Sequence, residues 1–268
     1  MNTVTIIGCG WFGLPLATQL VKQGIKVKAS KRHPEDLVQL QQAGIDAYQL
    51  NLANVTSQAK NSFLFDADAI VINLPPGLRR GETDYLGNLT QLTTLMGERQ
   101  YQKIIFISTT GVYPSLDQTV TEQDAAAFND TSGTLLQAEA MFSAMKNSCI
   151  VRFSGLVGPK RHPGRFFAGK TDVSGANVAV NLVHLDDCIA AVSLILSRND
   201  TLPIYNLAAN AHPTRGEFYV AAAEHLGLTA PEFNQQQQPN KTIDGQLICH
   251  HLGFTYAFNN PFKMLDAC

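Results

Sequence analysis

The sequence predicts an α/β fold with a doubly wound parallel sheet and a smaller C-terminal substrate-binding portion. Short β-branched runs alternate with longer segments of helical period, which is typical of repeated βα units. A glycine-rich turn directly follows the first of these runs. The 268 residues are 45% hydrophobic and 16% charged, a composition that supports a sizeable buried core and excludes disorder as the main state.

Six short runs are the predicted strands of the first part of the chain. They are Val4–Ile7, Val27–Ser30, Ala47–Leu50, Ala69–Asn73, Lys103–Ser108 and Cys149–Phe153. Between the first two, apolar residues recur at spacings of three and four over Leu14–Val21, which predicts a helix that ends at Gly24. A similar apolar stripe over Leu135–Met145 is typical of either a core-facing or a dimer-forming helix, so a homodimer is left open.

Turns rich in Gly and Pro interrupt the chain after residue 155. We therefore predict a cofactor-binding part over residues 1–155 and a smaller C-terminal part over residues 156–268, with a soft boundary. In the second part we expect a strand and a helix over Asn181–Ser197, a strand over Tyr205–Ala208 and a helix over Arg215–Leu226. The polar tract Asn234–Asn240 is typical of a solvated loop.

Charge and cysteine content limit the binding partners and the cellular compartment that we expect. The net charge of −2 provides no overall field for a phosphate backbone or an anionic membrane, so we expect neither nucleic acid nor membrane as a partner. The five cysteines include no C-x-x-C pair, which favours the reducing cytoplasm. No apolar stretch approaches 18 residues and the N-terminus lacks a signal-peptide pattern, so we expect no export.

The segment Gly8-Cys9-Gly10-Trp11-Phe12-Gly13 is a G-x-G-x-x-G motif that lies between a predicted strand and a predicted helix. In a Rossmann-type sheet the first glycine permits a tight turn, the second lets a pyrophosphate approach the backbone, and the third lets helix and strand pack closely. The helix amides then face the phosphates. We therefore predict a dinucleotide site at Gly8, Gly10 and Gly13, lined by Trp11 and Phe12.

The end of the second strand predicts which dinucleotide binds. An acid there would bond a ribose 2′-hydroxyl, whereas this chain has Ser30-Lys31-Arg32, a hydroxyl and two cations suited to a 2′-phosphate. NADP is therefore favoured, with NAD left open. The alternative is a solvated strand end whose cations bind nothing. We also expect Leu74, Pro75 and Ser108 to contact the cofactor.

The fifth strand leads into Ser108-Thr109-Thr110-Gly111-Val112-Tyr113-Pro114, hydroxyls at the end of a sheet where ligands bind. With the glycine motif, this segment resembles the extended short-chain dehydrogenase/reductase superfamily, whose S-S-x-x-V-Y-G segment supplies a catalytic Ser or Thr. The resemblance implies that Thr109 takes that role. The segments Arg152–Pro159 and Asn181–Asp187 are similar to two further motifs of the superfamily.

Three stretches carry a closer resemblance, to the atypical bacterial YeeZ group of that superfamily. They are Leu156–Lys170, Asn206–Pro213 and Lys241–Gly245. The resemblance implies an NAD(P)-binding, epimerase-like protein and supplies no defined reaction.

The superfamily's catalytic Y-x-x-x-K pair is missing. Counted back from Glu139, its positions hold Thr131 and Leu135, and neither side chain can exchange a proton near neutral pH. Tyr113 and, less directly, Tyr85 are the candidate replacements as proton donor. The alternative for Tyr113 is a packed aromatic whose hydroxyl is bonded locally.

Cations cluster in the loop that follows Gly158-Pro159. Arg161, His162 and Arg165 are predicted to bind an anionic group of a small substrate, and the alternative is a set of exposed loop charges. His184, Asp186 and Asp187 resemble a metal cluster, but a strand-to-helix junction capped by the acids explains them better. The adjacent His250 and His251 make a poor ligand pair, so no metal is assigned.

Two functions fit these residues. One is a cytoplasmic NADP-dependent oxidoreductase or epimerase that acts on a small anionic or sugar-like substrate. The other is a binding protein that senses NADP(H) and has lost its chemistry together with the Tyr/Lys pair.

Overall fold

The computed structural model describes residues 1–55, 63–77 and 84–268. The described strands, in chain order, are β1 Thr3–Ile7, β2 Lys26–Lys31, β3 Asp46–Gln49, β4 Ala69–Ile72, β5 Lys103–Thr109, β6 Gln118–Val120, β7 Ser148–Phe153, β8 Gly155–Val157, β9 Leu182–His184, β10 Ile204–Leu207 and β11 Lys241–Ile243. The described helices are α1 Gly13–Lys22, α2 Leu37–Gln42, α3 Tyr85–Met96, α4 Asp130–Ser143, α5 Leu185–Ser197, α6 Arg215–His225 and α7 Leu247–Leu252.

Seven strands form one parallel sheet in the order β10-β7-β5-β4-β1-β2-β3. From β1 the chain builds outward to β3, and then returns to add β4 on the other side of β1. This reversal between β1 and β4 is the switch point of a doubly wound sheet, where ligands bind beyond the carboxyl ends of the strands. The predicted α/β Rossmann-type fold is confirmed.

The chain divides into two compact units, each built from three segments. Unit 1 comprises residues 1–108, 129–151 and 192–204, and unit 2 comprises residues 109–128, 152–191 and 205–268. Unit 2 contains two further parallel pairs, β6 with β11 and β8 with β9. The boundary predicted near residue 155 separates a cofactor-binding part from a substrate-binding part, which is a different division from these two units. It stays a prediction.

Each unit has its own apolar core. In unit 1, Phe106 of β5 stacks on Phe142 of α4 with ring centroids 4.5 Å apart, and Ala138 is fully buried beside them. Met141 and Met145 pack partly against the same cluster, so the stripe on this helix is core. The core of unit 2 centres on Phe218 and Tyr219 of α6.

Most of the predicted strands and helices lie where the patterns placed them, within one or two residues at their ends, but α4 begins at Asp130, five residues before the predicted Leu135. α1 ends before Gly24, whose φ of 81° is left-handed and therefore suits glycine. The tract 234–240 has no regular structure and is largely exposed, as predicted. Strands β6, β8 and β11, each three residues long, were not predicted from the sequence.

Candidate functional site

The glycine turn after β1 is fixed by the end of β4. Gly8 has a φ of 86°, and a Cβ there would overlap the carbonyl oxygen of Asn73. The side-chain amide of Asn73 in turn donates to the Gly8 carbonyl at 3.0 Å. Gly8 is therefore required both by its backbone angle and by close approach of the neighbouring strand.

The other two glycines of the motif differ in their surroundings. A Cβ at Gly13 would stand 2.7 Å from the carbonyl oxygen of Gly8, so this glycine lets α1 pack closely against the turn. Gly10 is exposed, and among the described residues no heavy atom lies within 4 Å of where its Cβ would be. Trp11 is half-buried and Phe12 is buried. The turn thus leaves one open glycine, which fits a pyrophosphate against the backbone.

The residues at the end of β2 adjoin this turn. Ser30 is buried, and its hydroxyl accepts a hydrogen bond from the Gly8 amide at 3.4 Å. Its carbonyl accepts from the Cys9 amide at 3.2 Å. Burial raises the pKa of the Cys9 thiol to about 12, and the nearby charge of Lys31 opposes that rise. Lys31 is half-buried and Arg32 is exposed.

The ends of β4 and β5 supply the rest of the carboxyl edge of unit 1. Leu74 lies beside Gly8, and Pro75 after it is exposed. Ser108 donates to the buried carboxylate of Glu139 on α4 at 2.5 Å. The Tyr85 hydroxyl donates to the Leu74 carbonyl at 3.4 Å, and burial, aided by the charge of Glu139, raises the pKa of Tyr85. Residues 79–83, which precede Tyr85 in the predicted segment, lie outside the described residues.

Thr109 begins the short 3-10 turn Thr110–Val112. Its hydroxyl oxygen accepts from the Gly111 amide at 3.2 Å, and the Tyr113 amide bonds back to the Thr110 carbonyl at 3.3 Å. Because the oxygen accepts from within the turn, the Thr109 proton is left to donate elsewhere. This arrangement suits a hydroxyl that bonds a substrate oxygen.

Tyr113 occupies a different environment. It is almost fully buried, and its hydroxyl donates to the Asn206 side chain at 2.7 Å while it accepts from Arg152 at 2.7 Å. Arg152 also donates to the Glu122 carbonyl, and the Glu122 carboxylate accepts from the Asn206 amide. Burial raises the pKa of Tyr113, and the Arg152 charge opposes the rise. The local bonding described by the packed-aromatic alternative is thus present.

The positions of the missing catalytic pair lie on α4. Thr131 is exposed in the first turn and Leu135 is buried in the core. The helix begins at a capping box in which the Asn129 side chain accepts from the Ser132 amide at 2.8 Å. Glu139, from which the pair was counted, is held by Ser108 as described above.

The basic loop combines exposed and buried cations. Arg161 and Arg165 are exposed, whereas His162 is buried. The Gly164 amide donates to His162 Nδ1 at 3.0 Å, so the proton of the neutral ring is on Nε2. That nitrogen lies 3.1 Å from His225 Nδ1, and His225 Nε2 lies 3.1 Å from the Asp266 carboxylate. His162 is therefore engaged inside unit 2, where both of its ring nitrogens have partners.

The side chains of His184 and His251 are also hydrogen-bonded. His184 Nδ1 accepts from the Asp186 amide at 3.2 Å, and the buried Asp187 carboxylate accepts from the Ala257 and Phe258 amides. The Tyr205 hydroxyl lies 2.8 Å from His251 Nδ1. Within the described ranges, no three His, Cys, Asp or Glu side chains are grouped so as to hold a metal ion. His184 and the two acids lie at the predicted strand-to-helix junction, but Asp187 accepts from the Ala257 and Phe258 amides and does not cap the helix as predicted.

Sequence reasoning missed two parts of these sites. Glu139 served only to count positions, although its bond to Ser108 ties α4 to the end of β5. Lys241 belonged to a family-typical stretch without a role, and its ammonium donates to the Tyr113 carbonyl at 2.6 Å. Both contacts join residues far apart in the chain, so spacing alone carries no signal for them.

No helix in the described part of the chain combines the length and apolar character that crossing a bilayer requires. Residues 8–184 match a protein-family model described as NAD(P)H-binding. The protein YeeZ of Escherichia coli (strain K12) is 40% identical over 273 aligned residues, which cover 98% of this chain and 99% of YeeZ.

Solved structures share the fold at lower identity. UDP-glucuronic acid 4-epimerase from Bacillus cereus in complex with NAD is 17% identical with a TM-score of 0.78, over 100% of this chain and 97% of that one. MoeE5 in complex with UDP-glucose and NAD is 19% identical with the same score and coverage. The expected membership is confirmed: the chain belongs to the NAD(P)H-binding family and, within it, to the YeeZ-like atypical branch of the extended short-chain dehydrogenases/reductases.

Proposed function

We propose that this protein binds NADP(H) at the glycine turn of unit 1 and acts as an oxidoreductase or epimerase on a small anionic or nucleotide-sugar-like substrate. The observation that carries the proposal is the carboxyl edge of β1 and β2. There Gly10 is open, the Ser30 hydroxyl accepts from the Gly8 amide, and Arg32 is exposed.

The residues present fit a dinucleotide. Gly8, Gly10 and Gly13 would hold the pyrophosphate, and Ser30 and Arg32, with Lys31 nearby, would hold the 2′-phosphate. Trp11, Phe12, Leu74, Pro75 and Ser108 would line the remainder. When bound, the nicotinamide supplies hydride chemistry. NAD stays an alternative, because the two structures named above were solved with NAD.

Among the chain's own side chains, we assign contact with the substrate to Thr109. Its hydroxyl oxygen accepts from the Gly111 amide, which leaves the hydroxyl proton to donate to another group. The role of proton donor assigned to Tyr113 would require its bonds to Asn206 and Arg152 to open, and a phenol whose pKa is raised exchanges its proton less readily near neutral pH. We therefore rank Thr109 ahead of Tyr113.

The substrate class rests on two supports. Arg161 and Arg165 are exposed on one loop and suit a phosphate or carboxylate, with His162 holding the loop between them. The structural relatives named above bind UDP-glucose in one case and, in a further complex of the Bacillus cereus enzyme, UDP-glucuronic acid. The free state of all five cysteines favours a reducing, cytoplasmic location.

A second function is favoured by α4. Thr131 is exposed and Leu135 is buried. Neither side chain can provide the Tyr/Lys chemistry, because neither can exchange a proton near neutral pH. A protein that binds NADP(H) and reports it to a partner needs no such pair. This candidate shares the cofactor site and differs only in turnover.

One experiment separates the two functions. The purified protein is incubated with NADPH and a panel of carbonyl compounds while nicotinamide absorbance is followed. In parallel it is incubated with nucleotide sugars and NADP or NAD, and the products are separated by chromatography, since epimerisation causes no net redox change. Arg161→Ala/Arg165→Ala serves as the variant deficient in substrate binding.

Turnover that this double variant weakens supports the enzyme. Tight NADP(H) binding without turnover of any compound supports the sensing protein. Failure to bind either dinucleotide in calorimetric titration contradicts both functions.

A further inference from the structure

The stretch Lys241–Gly245 is typical of the family, yet neither the cofactor site nor the basic loop uses it. Lys241 lies on β11, whose backbone pairs with β6 in the register Lys241 to Gln118. The Asn181 side chain donates to the Lys241 carbonyl at 2.9 Å and accepts from the Ile243 amide at 2.8 Å. The backbone of Lys241 is thus fixed from both sides.

From this fixed position the side chain reaches the turn that follows Thr109. The Lys241 ammonium donates to the Tyr113 carbonyl at 2.6 Å, and the side chain is half-buried. Burial lowers the pKa of Lys241. Partial burial of the Lys241 ammonium costs free energy. A lysine that served only as a solvated surface charge would not be placed in this way.

The turn is held at its end by two anchors. The Tyr113 hydroxyl is bonded to Asn206 and Arg152, and the Tyr113 carbonyl is bonded to Lys241. Between Tyr113 and Thr109 there is one 3-10 turn, closed by the bond from the Tyr113 amide to the Thr110 carbonyl. A shift of the Tyr113 carbonyl would be transmitted through this turn to the Gly111 amide, which bonds the Thr109 hydroxyl.

We propose that Lys241 is a positioning residue for Thr109: its ammonium clamps the Tyr113 carbonyl and so fixes the turn that orients the Thr109 hydroxyl. The clamp itself rests on the described contacts, while its effect on turnover rests on the proposed function. The chain thus has a lysine in its active region, supplied from the C-terminal part and acting through the backbone.

The test compares Lys241→Met, Lys241→Arg and the matched control Thr242→Val. The control lies on the same strand and removes the 2.7 Å contact between the Thr119 and Thr242 hydroxyls, without touching the clamp. Loss of one charge-assisted bond should raise amide hydrogen exchange over residues 110–113 about tenfold in Lys241→Met. Lys241→Arg keeps a donor and should restore protection, and Thr242→Val should leave residues 110–113 unchanged.

Where the wild type turns over a substrate, kcat of Lys241→Met should fall about tenfold or more with KM little changed, because a misplaced hydroxyl affects the transition state most. Unchanged exchange over residues 110–113 in Lys241→Met, an equal rise in Thr242→Val, or an unchanged kcat overturns the proposal. If the wild type has no turnover, the proposed function fails, and exchange alone decides the clamp. Should Lys241→Met not fold, Lys241→Leu is measured in its place, because it likewise has no donor.

Discussion

The three glycines of the turn after β1 share a residue type but differ in what their surroundings require. A methyl at Gly8 would overlap Asn73 and force a left-handed φ onto an alanine, whereas a methyl at Gly10 would project into open space. Stability and cofactor binding therefore separate at these two positions.

We expect Gly8→Ala to lower the free energy of unfolding by about 1–3 kcal/mol or more, because strain and overlap add. Gly10→Ala should change the free energy of unfolding by less than about 1 kcal/mol. It should nevertheless weaken NADP(H) binding about tenfold or more, because the added methyl group would occupy the space through which the pyrophosphate approaches the backbone. Chemical denaturation and calorimetric titration of both variants check this. Equal loss of stability in both would contradict the role given to Gly10.

Arg32 is expected to decide between the dinucleotides. A charge-assisted hydrogen bond contributes about 1.5–3 kcal/mol, so the wild type should favour NADP over NAD by roughly 10- to 150-fold. Arg32→Ala should erase that margin, and we expect a smaller effect from Lys31→Ala. Calorimetric titration with both dinucleotides measures it, with Arg198→Ala as the control, since Arg198 is paired with Asp200 instead. Equal affinity of the wild type for NAD and NADP would refute the assignment.

At the level of elements, α4 carries Thr131 and Leu135 at the positions where the family resemblance implies Tyr and Lys, and the rest of the helix has three structural features. Its capping box, its core face and the bond from Ser108 to Glu139 are all present. The sequence pattern predicted an apolar stripe on this helix, because apolar spacing is local, but it left a core face and a dimer face open. It could not predict the Ser108 contact, which depends on where β5 lies beside the helix.

We expect Thr131→Ala to leave kcat within about twofold of the wild type, because an exposed aliphatic hydroxyl carries no proton chemistry. The same steady-state assay on Thr109→Ala should show a loss of about 100-fold or more. A thousandfold loss in Thr131→Ala, with unfolding curves unchanged, would show that Thr131 is catalytic after all.

A chain of hydrogen bonds from His162 through His225 to Asp266 links the basic loop, the end of α6 and the C-terminal turn. Burial, with the charges of His225 and Arg165, lowers the pKa of His162 from its ordinary 6.5. The native state therefore binds fewer protons than the unfolded state, and its stability is retained above about pH 6.5 and lost as the pH falls below it.

His162→Asn keeps an acceptor for the Gly164 amide and cannot titrate. Its free energy of unfolding should consequently fall less than that of the wild type between about pH 7.5 and about pH 5.5. His212, whose pKa is also lowered by burial, is present in both proteins, so its contribution cancels in the comparison. Identical pH dependence of the two proteins would show that His162 is not the titrating group.

For the whole molecule, the site residues predicted from sequence are distributed between the units. The glycine turn, Ser30–Arg32, Leu74, Pro75 and Ser108 belong to unit 1, whereas Thr109, Tyr113 and the basic loop belong to unit 2. The glycine turn was predictable because a known mechanism fixes the spacing of its glycines. The bonding of Tyr113 and His162 was not, since their partners are up to 93 residues away in the chain.

This distribution predicts that substrate and cofactor binding can be impaired separately. Arg161→Ala/Arg165→Ala should raise KM for an anionic substrate about tenfold or more, because each guanidinium offers charge-assisted bonds. The affinity for NADP(H), measured by calorimetric titration, should change by less than about twofold. A matching loss of cofactor affinity would instead assign the loop to the nucleotide.

The alternation of segments between the two units has a consequence for synthesis on the ribosome. Unit 1 requires residues 192–204 and unit 2 requires the C-terminal residues, so neither can be completed from an early stretch of nascent chain. Strands β1 to β5 find one another within the first 109 residues, but the edge of β5 stays unpaired until β7 and β10 have been synthesised, which exposes apolar surface in the meantime. Truncation at any internal boundary should therefore yield aggregated rather than folded fragments, and chaperone dependence should be high during translation.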